Sequence, residues 1–157
     1  MKANLAHKSI FAFIFAALLD QAHKFYMIKV LGWSGGEYAQ VTPFFDYVLV
    51  WNPGISYGWL SWLPSWGLVG IMLVAVLGLA YWWATATTNL VRWGLAIVLG
   101  GALGNIVDRV IYGAVADFFS FHAYGYNWYI FNIADVAIAL GLFALVWDMF
   151  TSKPETA

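Results

Sequence analysis

Four long apolar stretches limit what this chain can fold into. They cover about residues 9–30, 66–83, 91–111 and 132–150. A helix rises about 1.5 Å per residue, so some twenty residues cross a hydrocarbon core of roughly 30 Å. Composition agrees: 63% of the residues are hydrophobic and 10% are charged, against about 25% charged in a soluble domain. The expected fold class is therefore an all-α membrane protein. We expect one domain over residues 1–157, with four transmembrane helices and outer loops over about 32–65 and 112–131.

The first stretch has the look of a secretory signal, with Lys2 and Lys8 ahead of an apolar run. Asp20-Gln21 stands where small residues should mark a cleavage site, so a retained helix is expected. Lys2, Lys8, Arg92 and Lys153 fall on one side of the four stretches. The positive-inside rule makes that side cytoplasmic. Both termini are then inside, and both long loops, which hold no Lys or Arg, are outside. Tryptophans near the ends of the stretches, such as Trp33, Trp66 and Trp128 outside and Trp82 and Trp93 inside, suit the two interfaces. Val41 to Trp51 is rich in β-branched and aromatic residues and is followed by Asn52-Pro53-Gly54. That pattern predicts a small sheet on the outer surface, closed by a turn. The aromatic run His122 to Trp128 is expected to cover a site between the third and fourth helices.

Several function classes fall away. The net charge of -1 and the lack of a basic run suggest no nucleic-acid partner. There is no cysteine, hence no disulfide or thiolate chemistry. His7, His23 and His122 lack the paired spacing of a catalytic zinc site. No metal and no cofactor is expected.

The polar residues within or beside the apolar stretches carry what remains, because ionisable groups there are costly. Asp20 and Lys24 share a helix face, either as a self-compensating pair with Lys24 reaching outward or with Lys24 in the chemistry. Asn105, Asp108 and Arg109 share another face, as helix–helix contacts with Asp108 offsetting Arg109 or as part of a site. Gly100, Gly101 and Gly104 allow close helix packing beneath them. Asn132 and Asp135 have the spacing of a helix cap. Yet Asp135 falls at the same membrane face as Asp117, across one loop. Two acids brought together can share a proton, as in aspartic hydrolases. Gly54-Ile55-Ser56-Tyr57-Gly58 matches a serine-hydrolase elbow, but the chain has no room for the large α/β sheet that motif needs. A proton-coupled transporter and a non-catalytic four-helix scaffold remain the rival classes.

Four blocks in order make the chain resemble the bacterial lipoprotein signal peptidases, or type II signal peptidases. They are Asp20 to Lys24, Asn52-Pro53-Gly54 with the aromatic Tyr57, Gly104 to Phe118 (G-N-x-x-D-R, then G-x-V-x-D-F), and Phe131 to Asp135 (F-N-x-A-D). Ser56 and His23 depart from residues common in that family, and neither departure touches the acids. The resemblance implies an aspartic endopeptidase, sensitive to globomycin, with Asp117 and Asp135 as the catalytic pair. It implies that Asn52, Gly54, Asn105, Arg109 and Asn132 line the site, with Asp20, Lys24 and Asp108 supporting it. The implied substrate is a diacylglyceryl-modified prolipoprotein, cleaved just before its lipidated cysteine at the outer face of the cytoplasmic membrane. The outer loops would form a cradle and lid. Membrane lipid is the other expected partner, and a monomer is expected.

Overall fold

The computed structural model describes residues 2–54 and 62–151. Helix α1 spans Lys2–Phe25 and runs into one π turn over Tyr26–Val30. Strands β1 (Tyr38–Thr42) and β2 (Phe45–Asn52) follow, then helices α2 (Ser65–Thr85) and α3 (Asn89–Tyr112). Strands β3 (Val115–Ala123) and β4 (Tyr126–Asn127) come next, and helix α4 covers Ile133–Thr151. Among the described residues, three helices, α2, α3 and α4, are long and apolar enough to cross a membrane. Helix α1, over the first expected span, is 24 residues long, with an unbroken apolar run from Ile10 to Leu19.

Local chemistry sets the boundaries. Thr88 caps α3 by accepting the Val91 N–H at 3.2 Å, and its hydroxyl also meets Asp148 of α4 at 2.9 Å. Arg92 lies in the first turn of α3 and donates to Ala86 O at 2.6 Å. At the other end Gly113 takes the left-handed conformation, φ 76°, and its N–H closes on Arg109 O at 3.1 Å. A residue with a Cβ is strained there, so the helix stops and the chain turns into β3.

Helix α3 is the centre of the molecule, packed against α1, α2 and α4. Its buried face includes Leu95, Val98, Gly101, Gly104, Asn105 and Asp108. The outward faces of the others are apolar: Phe11, Phe15 and Leu18 on α1, Val74 and Leu77 on α2, Phe143 and Met149 on α4. Such surfaces are stable in lipid rather than water. Glycine permits the tight α3–α4 contact, since a Cβ on Gly101 would lie 2.5 Å from Ala134 O. We expect Gly101→Ala to lower stability by about 1–3 kcal/mol, by overpacking that contact. Gly70→Ala on α2, where an added Cβ meets nothing within 4 Å, should cost nothing measurable. Thermal unfolding of both variants in detergent checks the contrast.

The segments between α1 and α2 and between α3 and α4 form one antiparallel sheet in the order β1-β2-β3-β4. The expected small sheet is present: the β-rich run from Val41 is broken at Pro43-Phe44, and the segments on either side form the β1–β2 hairpin. One expectation changes here: the segment 112–131, read as a loop, supplies β3, which pairs with β2 from Phe45↔Phe121 to Asn52↔Val115. Its alternation is hidden because Val115, Ala116, Asp117 and Phe118 are buried in succession. Below the sheet lies a core of Met27, Leu49, Ala116 and Phe118. The wider π turn, with Leu31 N–H reaching Tyr26 O at 3.0 Å, carries Met27 into it. The His122–Trp128 run forms the β3–β4 hairpin and, with Phe44, lines an apolar groove of about 580 Å³.

Candidate active site

The site is built outward from a buried ionic cluster where α1 meets α3. Lys24 is 2% exposed and does not reach outward. Its ammonium lies 2.8 Å from Asp20 and 2.7 Å from Asp108, both fully buried. Two carboxylates taken out of water need such a cation and further donors. Those donors come from the backbone. Asp108 Oδ2 accepts the Ala116 N–H at 3.1 Å, and Asp20 Oδ1 accepts the Ala134 N–H at 2.9 Å. Ala116 and Ala134 immediately precede Asp117 and Asp135. One ammonium thus ties together the backbone supports of both acids. Gly104 makes room, because a Cβ there would lie 2.5 Å from Asp20 Oδ2.

Above this cluster the two acids face a cavity of about 310 Å³. Asp117, on β3, is 3% exposed. Its Oδ2 accepts from Asn52 Nδ2 at 3.1 Å, and its Oδ1 from Asn132 Nδ2 at 2.7 Å. Asp135, in the first turn of α4, accepts from Asn105 Nδ2 at 2.9 Å and from the Asn132 N–H at 3.2 Å. Asn132 also donates to Asn105 Oδ1 at 3.2 Å. The two acids are therefore linked through two amides. Asp135 is a helix cap as well: its own N–H returns a 3.0 Å bond to Asn132 Oδ1, the reciprocal capping box. Asp135 thus caps α4 and lines the cavity at once. Burial raises the Asp117 pKa to about 7, with the nearby Asp135 charge adding to the rise.

Arg109 also lines the cavity, and its direct hydrogen bonds go to backbone carbonyls rather than to Asp108. Its guanidinium donates to Pro53 O at 3.3 Å and to Gly54 O. Those carbonyls belong to the Asn52-Pro53-Gly54 turn, which closes with Gly54 N–H on Asn52 Oδ1 at 3.0 Å. Asn52, Gly54, Asn105, Arg109, Asp117 and Asp135 thus share one cavity. Asn132 joins them by hydrogen bonds. Asp20, Lys24 and Asp108 stand behind and do not line it.

Sequence reasoning missed part of the lining. Met72, Ile138, Ala139 and Leu142 form an apolar wall, and Tyr129 and Ile130 complete the rim. For α4 the signal was available, since Asp135, Ile138, Ala139 and Leu142 are spaced along one helix face. Gln21, next to Asp20, also went unnoticed: it donates to Asp108 Oδ1 at 3.0 Å. Ser56 lies outside the described residues. His122 lies 2.7 Å from Asp46 and lines the groove on the hairpin. Among the described residues, no three acidic, histidine or cysteine side chains are placed to hold a metal.

A family model described as signal peptidase (SPase) II matches residues 12–151. The chain belongs to the signal peptidase II family. Relatives named lipoprotein signal peptidase support the assignment. That of Rhodopseudomonas palustris is 45% identical, with 92% of this chain and 93% of the relative covered. That of Nitrobacter hamburgensis is also 45% identical, with the same coverage. Two solved structures, both described as bacterial membrane enzymes, share the fold. One has a TM-score of 0.81 at 26% identity, covering 96% of this chain and 94% of that one. The other has a TM-score of 0.79 at 26% identity. As a signal peptidase II, the chain has a peptidase's need for an activated water and a proton donor, and the cavity holds two acids that can supply both.

Proposed function

We propose that this protein removes signal peptides from diacylglyceryl-modified prolipoproteins, with Asp117 and Asp135 as the catalytic pair. The observation that carries the reading is the meeting of these acids in one cavity, linked by the Asn105–Asn132 bridge. Two neighbouring carboxylates retain one proton between them near neutral pH, and they titrate as a unit. The ionised member takes a proton from water as the water oxygen attacks the scissile carbonyl carbon. The protonated member hydrogen-bonds the carbonyl oxygen. When the tetrahedral intermediate collapses, the C–N bond breaks and the amine of the lipidated cysteine leaves with a proton from the pair. A new carboxyl terminus ends the signal peptide. This chemistry needs no metal, so cleavage should persist in a chelator.

The surroundings suit that substrate. The wall of Met72, Ile138, Ala139 and Leu142 favours apolar chains, the sheet is the cradle, and Tyr129 and Ile130 cover the cavity. Helix α1 is the fourth span in this reading, 24 residues long with Phe11, Phe15 and Leu18 turned outward. The distribution of Lys and Arg puts both termini in the cytoplasm and the acids at the outer face of the cytoplasmic membrane. Lipid surrounds the helices, and one chain supplies every residue of the site, as a monomer requires. Cleavage of a diacylglyceryl-modified prolipoprotein by the purified protein tests the assignment; an unmodified precursor is the control. Failure on both would sink it.

The pH dependence follows from Asp117. Its folded pKa of about 7 lies above its ordinary value of 3.8. Between those values the folded state binds more protons than the unfolded chain, so stability falls as pH rises through this window. The proton shared by the pair is lost over the same range, so kcat should decline above about pH 7. Melting temperature and kcat followed from pH 5 to 9 (a range of roughly two units either side) check both signs. Asp117→Asn should flatten the stability slope.

A further inference from the structure

Gln21 belongs to none of the residues assigned above, yet it is held on three sides. Its Nε2 donates to Asp20 Oδ2 at 3.2 Å, Gly104 O at 3.1 Å and Asp108 Oδ1 at 3.0 Å. We infer that Gln21 is a positioning residue for the catalytic pair, acting through Asp108 on the backbone that carries Asp117. The inference rests on the assignment of Asp117 and Asp135 as that pair.

Asp108 has two oxygens with different tasks. Oδ2 meets Lys24 at 2.7 Å and the Ala116 N–H at 3.1 Å. Oδ1 is held by Gln21. Removing the amide frees the carboxylate to turn about its Cβ–Cγ bond, and the Ala116 N–H loses a fixed acceptor. Ala116 is the residue before Asp117, and opposite it on β2 stands Trp51, beside Asn52. A tilt of that peptide moves Asp117 relative to Asn52 and Asn132, both of which donate to it. Gln21 also does this without charge. The cluster already holds two carboxylates and one ammonium, so a glutamate here would add a third acid and remove both donors. A lysine would add a cation and draw the shared proton off the pair. Gln21 does not line the cavity, so it touches no substrate and its loss should spare KM.

The test uses the full-length protein and a diacylglyceryl-modified prolipoprotein, with kcat and KM measured across pH per folded molecule. Gln21→Met keeps the length and removes the donors. We expect its kcat to fall roughly tenfold or more, with KM within about twofold. The alkaline limb of its kcat profile should move by about half a pH unit or more. Wild-type kcat with an unmoved limb overturns the inference, whether or not the melting temperature drops, because packing alone would then be the role of Gln21. Should Gln21→Met not fold, Gln21→Asn, which keeps a neutral amide but is one methylene too short to hold Asp108 Oδ1, carries the same test. Asp117→Asn runs beside them. If it still cleaves, the assignment of the pair fails; if it is inactive while Gln21→Met matches the wild type, only the role of Gln21 fails.

Discussion

Asp117→Asn and Asp135→Asn should each cut cleavage by roughly 1,000-fold or more, the scale of lost acid–base catalysis. Both proteins should still fold. The reason lies in how the site fixes its amides. Asn52 Oδ1 accepts the Gly54 N–H, and Asn132 Oδ1 accepts the Asp135 N–H. Each therefore turns its NH2 toward Asp117. Asn105 Oδ1 faces Lys24 at 3.4 Å and Asn132 Nδ2 at 3.2 Å, so its NH2 turns toward Asp135. All four carboxylate oxygens of the pair thus accept one protein N–H. These positions are built for acceptors, so the proton proposed to be shared by the pair has only the cavity to point into. An asparagine in either place sets an N–H against an N–H, at a cost of about 1–3 kcal/mol, which lowers the melting temperature without unfolding the protein. Single-turnover cleavage alongside thermal unfolding separates the two effects. Either variant retaining more than about a tenth of wild-type cleavage would remove its acid from catalysis.

That Asp117 and Asp135 come together was legible in the sequence, because both fall at the same end of neighbouring apolar stretches, across one loop, and the structure brings both into one cavity. The helices were legible because length and hydropathy act within one segment. What hid was the other pairing across segments. Asp108 and Arg109 are adjacent, which suggested mutual compensation. Neighbours on a helix point about 100° apart, so Asp108 turns to Lys24 on α1 and Arg109 to the Pro53 and Gly54 carbonyls. Lys24 was expected either to pair with Asp20 while reaching outward or to enter the chemistry. The pair with Asp20 forms, but the ammonium points inward, between two buried carboxylates behind the cavity. Strand β3 hid because four successive buried residues erase the period of two that marks a half-exposed strand. Gln21 hid because an amide has no charge to draw notice.

The second large effect should come from Lys24→Met. The change removes the ammonium from between Asp20 and Asp108 while keeping the side chain's length. Both carboxylates are fully buried, and breaking a buried pair by removing one partner costs about 3–5 kcal/mol. For a chain of this size that is a fall in melting temperature of roughly 6–20 °C. Activity should fall too, because the Ala116 and Ala134 N–H groups are held by carboxylates that would now repel each other. Adding Asp108→Asn distinguishes this account from a direct chemical role for Lys24. The double variant buries one charge fewer, so it should be more stable than the sum of the single changes by about 1–3 kcal/mol. It should still be nearly inactive, since the restored charge balance does not return the clamp on the Ala116 N–H. Strictly additive losses of stability would show that Lys24 and Asp108 are not coupled. A Lys24→Met protein that kept its wild-type melting temperature but lost all cleavage would move the lysine from the scaffold of the site into its chemistry.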